Sequence, residues 1–353
     1  MKELNKANQI PAELNAKMKK NLLWIFIFAV CMIFAGLTSG YIVSQGGNFW
    51  VTMKLPQAFQ ISTVLIFLSS ASLILGRWAI INDKKPLSNL GLGLAFLFGI
   101  GFGVFQFVGW SQLTAEGSPI VGDIINSRGK YSKYYTLISE GKEITYDNST
   151  FYHKGQPVSD DMLEEMKSFA SVIYSGSKTG VRTYSFSNYG TKFTLRYDNK
   201  LLTYVDKKLL LNNVNLSELQ LNRLWYFADN IVNDRGDFIM KGKYGEDFSI
   251  YYNGQELDYS NRTFYYNDAP LSAINLDKLN SQRNTSSSYI YAFTGVHLLH
   301  WIGGIISLLV MFISGLASKY SKENYLGITL GSIYWHFLGI LWLYLYAFLI
   351  FIH

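Results

Sequence analysis

The stretch FTGVHLLHWIGG (Phe293 to Gly304), followed by IYWHFLGILWLYLYAF (Ile333 to Phe348), decides how the rest of the chain is read. Both lie in uncharged apolar runs, and three histidines sit inside them. His297 and His300 are three residues apart on a helix, while His336 lies about ten residues into the next helix, which must run back the other way. Imidazole is thereby carried to mid-membrane depth. Ionisable groups are costly there and normally face a protein interior, so they point to function or to helix packing.

Three further uncharged runs complete the membrane part. Runs at 22–44, 55–76, 87–113, 289–316 and 325–351 each exceed the roughly 20 residues that a membrane helix requires. The first exceeds a cleavable leader's apolar core of roughly 7 to 15 residues, and no small-x-small site follows it, so it is expected to be retained. Lysine and arginine fix the expected orientation. Lys2, Lys6, Lys17, Lys19 and Lys20 precede the first run, Arg77, Lys84 and Lys85 follow the second, and Lys319 and Lys322 follow the fourth. All belong on the cytoplasmic side by the positive-inside rule. The first loop offers only Lys54, so this loop, residues 116–285 and the C-terminus are expected outside.

Hydrophobic residues make up 49% of the chain, aromatics 16%, and the net charge is +6. Mean hydropathy is only +0.11, so polar and apolar residues are segregated along the chain. The membrane part carries eleven basic and four acidic residues, whereas residues 114–288 carry twenty and twenty-one. The basic balance is therefore a topology signal, and nucleic acid is excluded as a partner. The single cysteine, Cys31, permits no disulfide within the chain, so the outer domain depends on its own core.

Three 32-residue segments within that domain align without gaps: 135–166, 193–224 and 248–279. In each, short aromatic and β-branched runs flank polar turn residues, with Tyr146, Tyr204 and Tyr259 equivalent. Ser159, Ser217 and Ser272 then precede a helical apolar pattern and suit N-caps, and Ser217 with Gln220 has capping-box spacing. The expected fold is a membrane all-α five-helix bundle with an inserted α+β periplasmic domain of three β-β-α repeats. The expected divisions are an arm at 1–20, helices one to three at 21–115, the repeat domain at 116–285, and helices four and five at 286–353. The insert has one histidine, His153, and no nucleophile with a neighbouring base, so binding or cladding is expected of it.

TGVHLLH (Thr294 to His300) and YWHF (Tyr334 to Phe337), with FAGLTSGYIV (Phe34 to Val43), LPQAFQISTVLIFLSS (Leu55 to Ser70) and the Gln106 to Trp110 stretch, resemble subunit III of the haem-copper cytochrome c oxidases. The resemblance spans 22–113 and 286–351, with five blocks in the family's order. It implies a non-catalytic accessory subunit of a respiratory oxidase in a bacterial inner membrane, with haem and copper held by partner subunits I and II. It also implies bound phospholipid, and cytochrome c or another electron-donating complex docking on the outer side. A quinol oxidase is the alternative within the family, and a membrane-anchored periplasmic binding or sensor protein is the alternative outside it. Trp24, Gln106, Trp110, His297, His300, Tyr334, Trp335, His336 and Phe337 are the residues expected at lipid clefts or subunit interfaces, with no catalytic or metal-ligating residue and no cofactor on this chain.

The histidines are weighed as ligands too. His300 and His336 could meet at similar depth, but a closed zinc site wants four ligands and no carboxylate accompanies the pair. Neutral helix-bridging imidazole is the expected role. Where the family has acidic residues, this chain has Val30, Gly109 and Gly339, so its apolar runs lack any Asp or Glu. Buried-carboxylate proton chemistry has no basis in these spans.

Overall fold

The computed structural model describes residues 11–353 except 128, 148 and 177–181, which leaves Lys2 and Lys6 outside the described residues. The chain divides into two compact units: residues 1–44, 55–114 and 288–353 form one, and residues 45–54 with 115–287 form the other. This corrects the expected domain limits. The ten residues between the first two spans belong to the β-rich unit.

The described residues of the helical unit hold five membrane-length helices: α1 Ala12–Gln45, α2 Gln57–Ile81, α3 Lys85–Ala115, α7 Thr285–Leu316 and α8 Leu326–Phe351, with α4 to α6 in the other unit. The chain is a multi-pass membrane protein. At about 1.5 Å per residue the 34 residues of α1 extend about 51 Å, well beyond a hydrocarbon core of about 30 Å. The expected arm is thus partly helical, and Lys17, Lys19 and Lys20 ride on its first turns, which overhang the apolar run.

Close approach of α2 and α3 is set by glycine. A Cβ added to Gly91 would lie 2.6 Å from the Gly76 nitrogen, so the two backbones touch where only hydrogen fits. Ser69 Oγ reinforces the pair by donating to the Ala95 carbonyl at 2.6 Å.

In the β-rich unit the three segments share one element order, richer than the expected β-β-α. The first has β2 Tyr135–Ser139, β3 Lys142–Asp147, β4 Thr150–His153, β5 Gln156–Pro157 and α4 Asp160–Tyr174. The second has β6 Phe193–Tyr197, β7 Lys200–Val205, β8 Lys208–Leu211, β9 Val214–Asn215 and α5 Glu218–Val232. The third has β10 Phe248–Tyr252, β11 Gln255–Glu256, β12 Asp258–Ser260, β13 Thr263–Tyr266, β14 Ala269–Pro270 and α6 Ala273–Ser281.

Tight two-residue turns recur at matching places. Glu140 and Gly141, Asp198 and Asn199, and Asn253 and Gly254 all have positive φ, as do Asp206 and Lys207 against Asn261 and Arg262. Positive φ at both central residues is the mirror-image turn whose twist suits a hairpin, and Asn, Asp and Gly tolerate it best. Tyr146, Tyr204 and Tyr259 each stand one register place before the turn, opposite Phe151, Leu209 and Phe264. Each helix then starts at its serine: Ser159, Ser217 and Ser272 accept from the backbone N–H groups of Met162, Gln220 and Asn275. At Ser217 the Gln220 side chain closes the capping box.

The segments do not share one sheet. β2 and β6 pair antiparallel, joining the first two segments into an eight-stranded sheet of order β5-β4-β3-β2-β6-β7-β8-β9. Its core includes Tyr131, Tyr135, Leu137, Phe169, Phe193, Leu195, Leu224 and Phe227. The third segment has no fourth copy to pair with. Its first strand, β10, is covered instead by β1, Phe49–Met53, from the loop between α1 and α2, in register from Phe49↔Tyr252 to Met53↔Phe248.

β1 completes a second core with Ile124, Phe238, Phe248, Ile250, Leu257 and Leu279, to which it contributes Phe49 and Val51. Its other edge is held by side chains. Gln282 Nε2 donates to the Phe49 carbonyl at 2.6 Å, Gln282 Oε1 accepts from the Phe49 N–H at 3.3 Å, and Ser286 Oγ donates to the Val51 carbonyl at 2.6 Å. Trp50 is a buried strand residue at 2% exposure.

Candidate functional site

The helical unit is joined by hydrogen bonds between neutral groups, many from the residues singled out in the sequence. Gln106 of α3 donates from Nε2 to Ser62 Oγ of α2 at 2.8 Å. Trp110 Nε1 of α3 donates to Thr294 Oγ1 of α7 at 2.8 Å. Trp342 Nε1 of α8 donates to Thr63 Oγ1 of α2 at 2.9 Å, and Tyr344 of α8 donates to Thr38 of α1 at 3.2 Å. With no water in a bilayer core these bonds have no cheap replacement, though each contributes only about 0.6 kcal/mol on average.

The two histidines of α7 face different neighbours. His297 is fully buried, and its Nε2 lies 3.0 Å from the Leu338 carbonyl of α8. A carbonyl can only accept, so Nε2 carries the hydrogen. The ring packs edge-on to Phe102, at 5.6 Å between centroids, and lies 5.4 Å from Trp342. His300 turns its Nδ1 back to the Val296 carbonyl at 2.8 Å and packs near Phe26 and Phe34 of α1. Residues three apart on a helix diverge by about 60°, enough to turn the two rings toward different neighbours.

Tyr334 of α8 donates to the His300 carbonyl at 2.9 Å, while Trp335 is buried in a core with Leu73, Leu92, Leu308 and Leu338. His336 is half-buried. No group of three His, Cys, Asp or Glu converges as a metal site among the described residues.

Burial sorts the nine expected interface residues. Gln106, His297 and Trp335 are sealed inside the unit, so a lipid or partner subunit cannot reach them, against the expectation of cleft lining. Trp110, His300, Tyr334, His336 and Phe337 are half-buried. Trp24 is 57% exposed, on an outer face of α1 that also presents Leu22, Ile25, Phe28 and Met32. α1 is the least enclosed of the five helices. The nine residues therefore divide into a buried set, a half-buried set and one residue, Trp24, on an outer apolar face.

Glycines of α3 seat large rings. Trp301 of α7 donates from Nε1 to the Gly99 carbonyl at 3.0 Å, and a Cβ on Gly103 would meet its ring at 2.3 Å. A Cβ on Gly109 would meet the Phe59 ring at 2.3 Å, so the position where the resembling family has a glutamate has no room for one here. Gly103→Ala is expected to overpack this seat by about 1–3 kcal/mol. The melting temperature of the detergent-solubilised chain should fall accordingly, and an unchanged melt would refute the tight seat.

Comparison with known proteins bears on these same helices. Residues 281–353 match the family model described as "Cytochrome c oxidase subunit III", a region containing His297, His300, Trp335 and His336. The chain is similar to "Cytochrome c oxidase subunit 3" of Anopheles quadrimaculatus, at 37% identity over 59 residues, covering 17% of this chain and 22% of the relative. It is also similar to "Probable cytochrome c oxidase subunit 3" of Nocardia farcinica, at 37% over 71 residues, 19% of this chain and 35% of the relative. The corresponding protein of Thermostichus vulcanus is 33% identical over 67 residues, 19% and 33% of the two chains. The chain thus spans well under two thirds of the length of the curated relatives it matches. It is subunit III-like, and the blocks at 34–43, 55–70 and 106–110 lie outside the matched residues.

Proposed function

We propose that this chain is an accessory, non-catalytic subunit III of a respiratory haem-copper oxidase. The observation that carries the reading is the coincidence of the matched residues with α7 and α8, in which His297, Trp301 and Trp342 are hydrogen-bonded to neighbouring helices. Haem, copper and oxygen chemistry reside in partner subunits. This chain stabilises them through the exposed apolar face around Trp24, where phospholipid and the neighbouring subunit compete for the same surface.

A tethered periplasmic sensor is the weaker reading. A tether needs one span, whereas here hydrogen bonds link all five helices through packed glycines and buried rings. The three segments of the insert are taken as copies of one unit, supported by their matching turns and capping serines. The insert is assigned to the periplasmic side, where it clads the oxidase or docks an electron donor. Pairing of β1 with β10 supports that topology, because the first loop and the insert must then lie on one side of the membrane. The test is whether the chain co-purifies with a polypeptide carrying haem and copper.

A further inference from the structure

The β-rich unit contains a cleft of about 530 Å3 that the oxidase reading does not use. Its volume falls within the roughly 300–1,000 Å3 of small-molecule sites. The walls come from the segment before β2, the β12–β13 hairpin and α6. At the floor lies Asp237, 3% exposed at its side chain. Arg262 grips it through both Nε and Nη2, Tyr259 donates to it, and Lys130 stands 3.6 Å away. Arg262 Nη2 also donates to the Tyr131 carbonyl at 2.7 Å, so Nε and Nη2 are held by the scaffold.

With Arg262 and Asp237 cancelling, the described residues of the cleft retain Lys130 and Lys133 against one carboxylate, Asp277. Neither Lys133 nor Asp277 enters an ion pair among the described residues; Lys133 stands 5.2 Å from the Tyr134 ring centre. Burial pushes the Lys130 ammonium below its ordinary value, and Asp237 offsets this only in part. The cleft is therefore short of negative charge. The same cleft is also lined by the apolar side chains of Ile125, Phe264, Leu271 and Leu276. A cleft lined by both cationic and apolar groups is complementary to a ligand that carries an anionic group and an apolar body.

We infer that this cleft binds a small amphipathic anion, a phosphate monoester or similar headgroup on a short apolar body, with Lys130 and Lys133 holding the charge and Leu276 and Phe264 the body. The binding is independent of which oxidase the chain joins. Calorimetric titration of the full chain in a neutral detergent would use two probes, n-hexyl phosphate and inorganic phosphate. Hexyl phosphate should saturate and bind at least about tenfold more tightly than phosphate, because several buried methylenes contribute. Lys133→Gln should weaken hexyl phosphate by about tenfold, the scale of one lost charge-assisted contact. Leu276→Gln should weaken hexyl phosphate while leaving phosphate unchanged. Both side chains are exposed and outside the core, so the variants should melt like the parent. Equal affinities for the two probes would overturn the amphipathic assignment. Absence of saturable binding, or an undiminished affinity in Lys133→Gln, would overturn the site.

Discussion

Residues 115–287 produced without residues 45–54 are expected to melt in two steps, with the third segment unfolding well below the first two. Loss of β1 removes Phe49 and Val51 from the second core and leaves one side of β10 unpaired, its other side still held by β11. Truncating a buried Phe alone typically costs about 3–5 kcal/mol, comparable to the stability of a small lobe. The eight-stranded sheet keeps its own core and all its pairings, so it should persist. Hydrogen exchange would read this by residue. Protection should vanish across 248–281 and remain across 135–232. Joining residues 45–54 to the fragment through a flexible linker should restore a single transition. A fragment that melts in one step without β1 would show that the strand is dispensable.

The second large effect is topological. On a background with Cys31 replaced by alanine, a cysteine at exposed Ser260 should react with an impermeant maleimide added to intact spheroplasts, and a cysteine at exposed Lys322 should react only after lysis. The contrast should be close to all-or-none. Three lysine- and arginine-bearing segments, around Lys17 to Lys20, Arg77 to Lys85 and Lys319 to Lys322, alternate with loops that hold their charge in a folded β unit. β1–β10 pairing fixes the first loop and the insert to one side, so the labelling of Ser260→Cys reports on both. Labelling of Lys322→Cys alone in intact spheroplasts would invert the assignment. Ser139 is unsuitable as a probe because it is buried in β2.

Local signals in the sequence located the five helices and the three capped ones, since apolar runs, serines and helical periods act over a few residues. Turn residues also announced a hairpin in each segment, but Asp-Lys, Asn-Arg and Asn-Asp pairs disguised further turns, and each segment was read as two strands. β1 was missed for a different reason. Its partner lies about two hundred residues away, and FWVTM merges with the apolar ends of the neighbouring spans. The run of aromatic and β-branched residues between Gly46-Gly47 and Pro56 was the available signal.

The candidate site was legible as a set of residue types and not as an arrangement. His297, Gln106 and Trp335 were found because polar and aromatic groups in apolar runs stand out, yet their burial depends on rotation about each helix axis. Low amphipathic contrast gives no clue to that rotation when lipid and protein interior are equally apolar. Gly91 and Gly103 carried a partial hint, because small residues mark close approach without naming the partner that occupies the space.

The central claim is that this chain is a structural partner of a haem-copper oxidase. An affinity-tagged chain, solubilised in mild detergent from its native membranes, should elute with a larger membrane polypeptide, a visible haem spectrum and copper in fixed ratio to the tag. Elution of the tagged chain alone, with no haem absorbance, from membranes that contain an active oxidase would contradict the account.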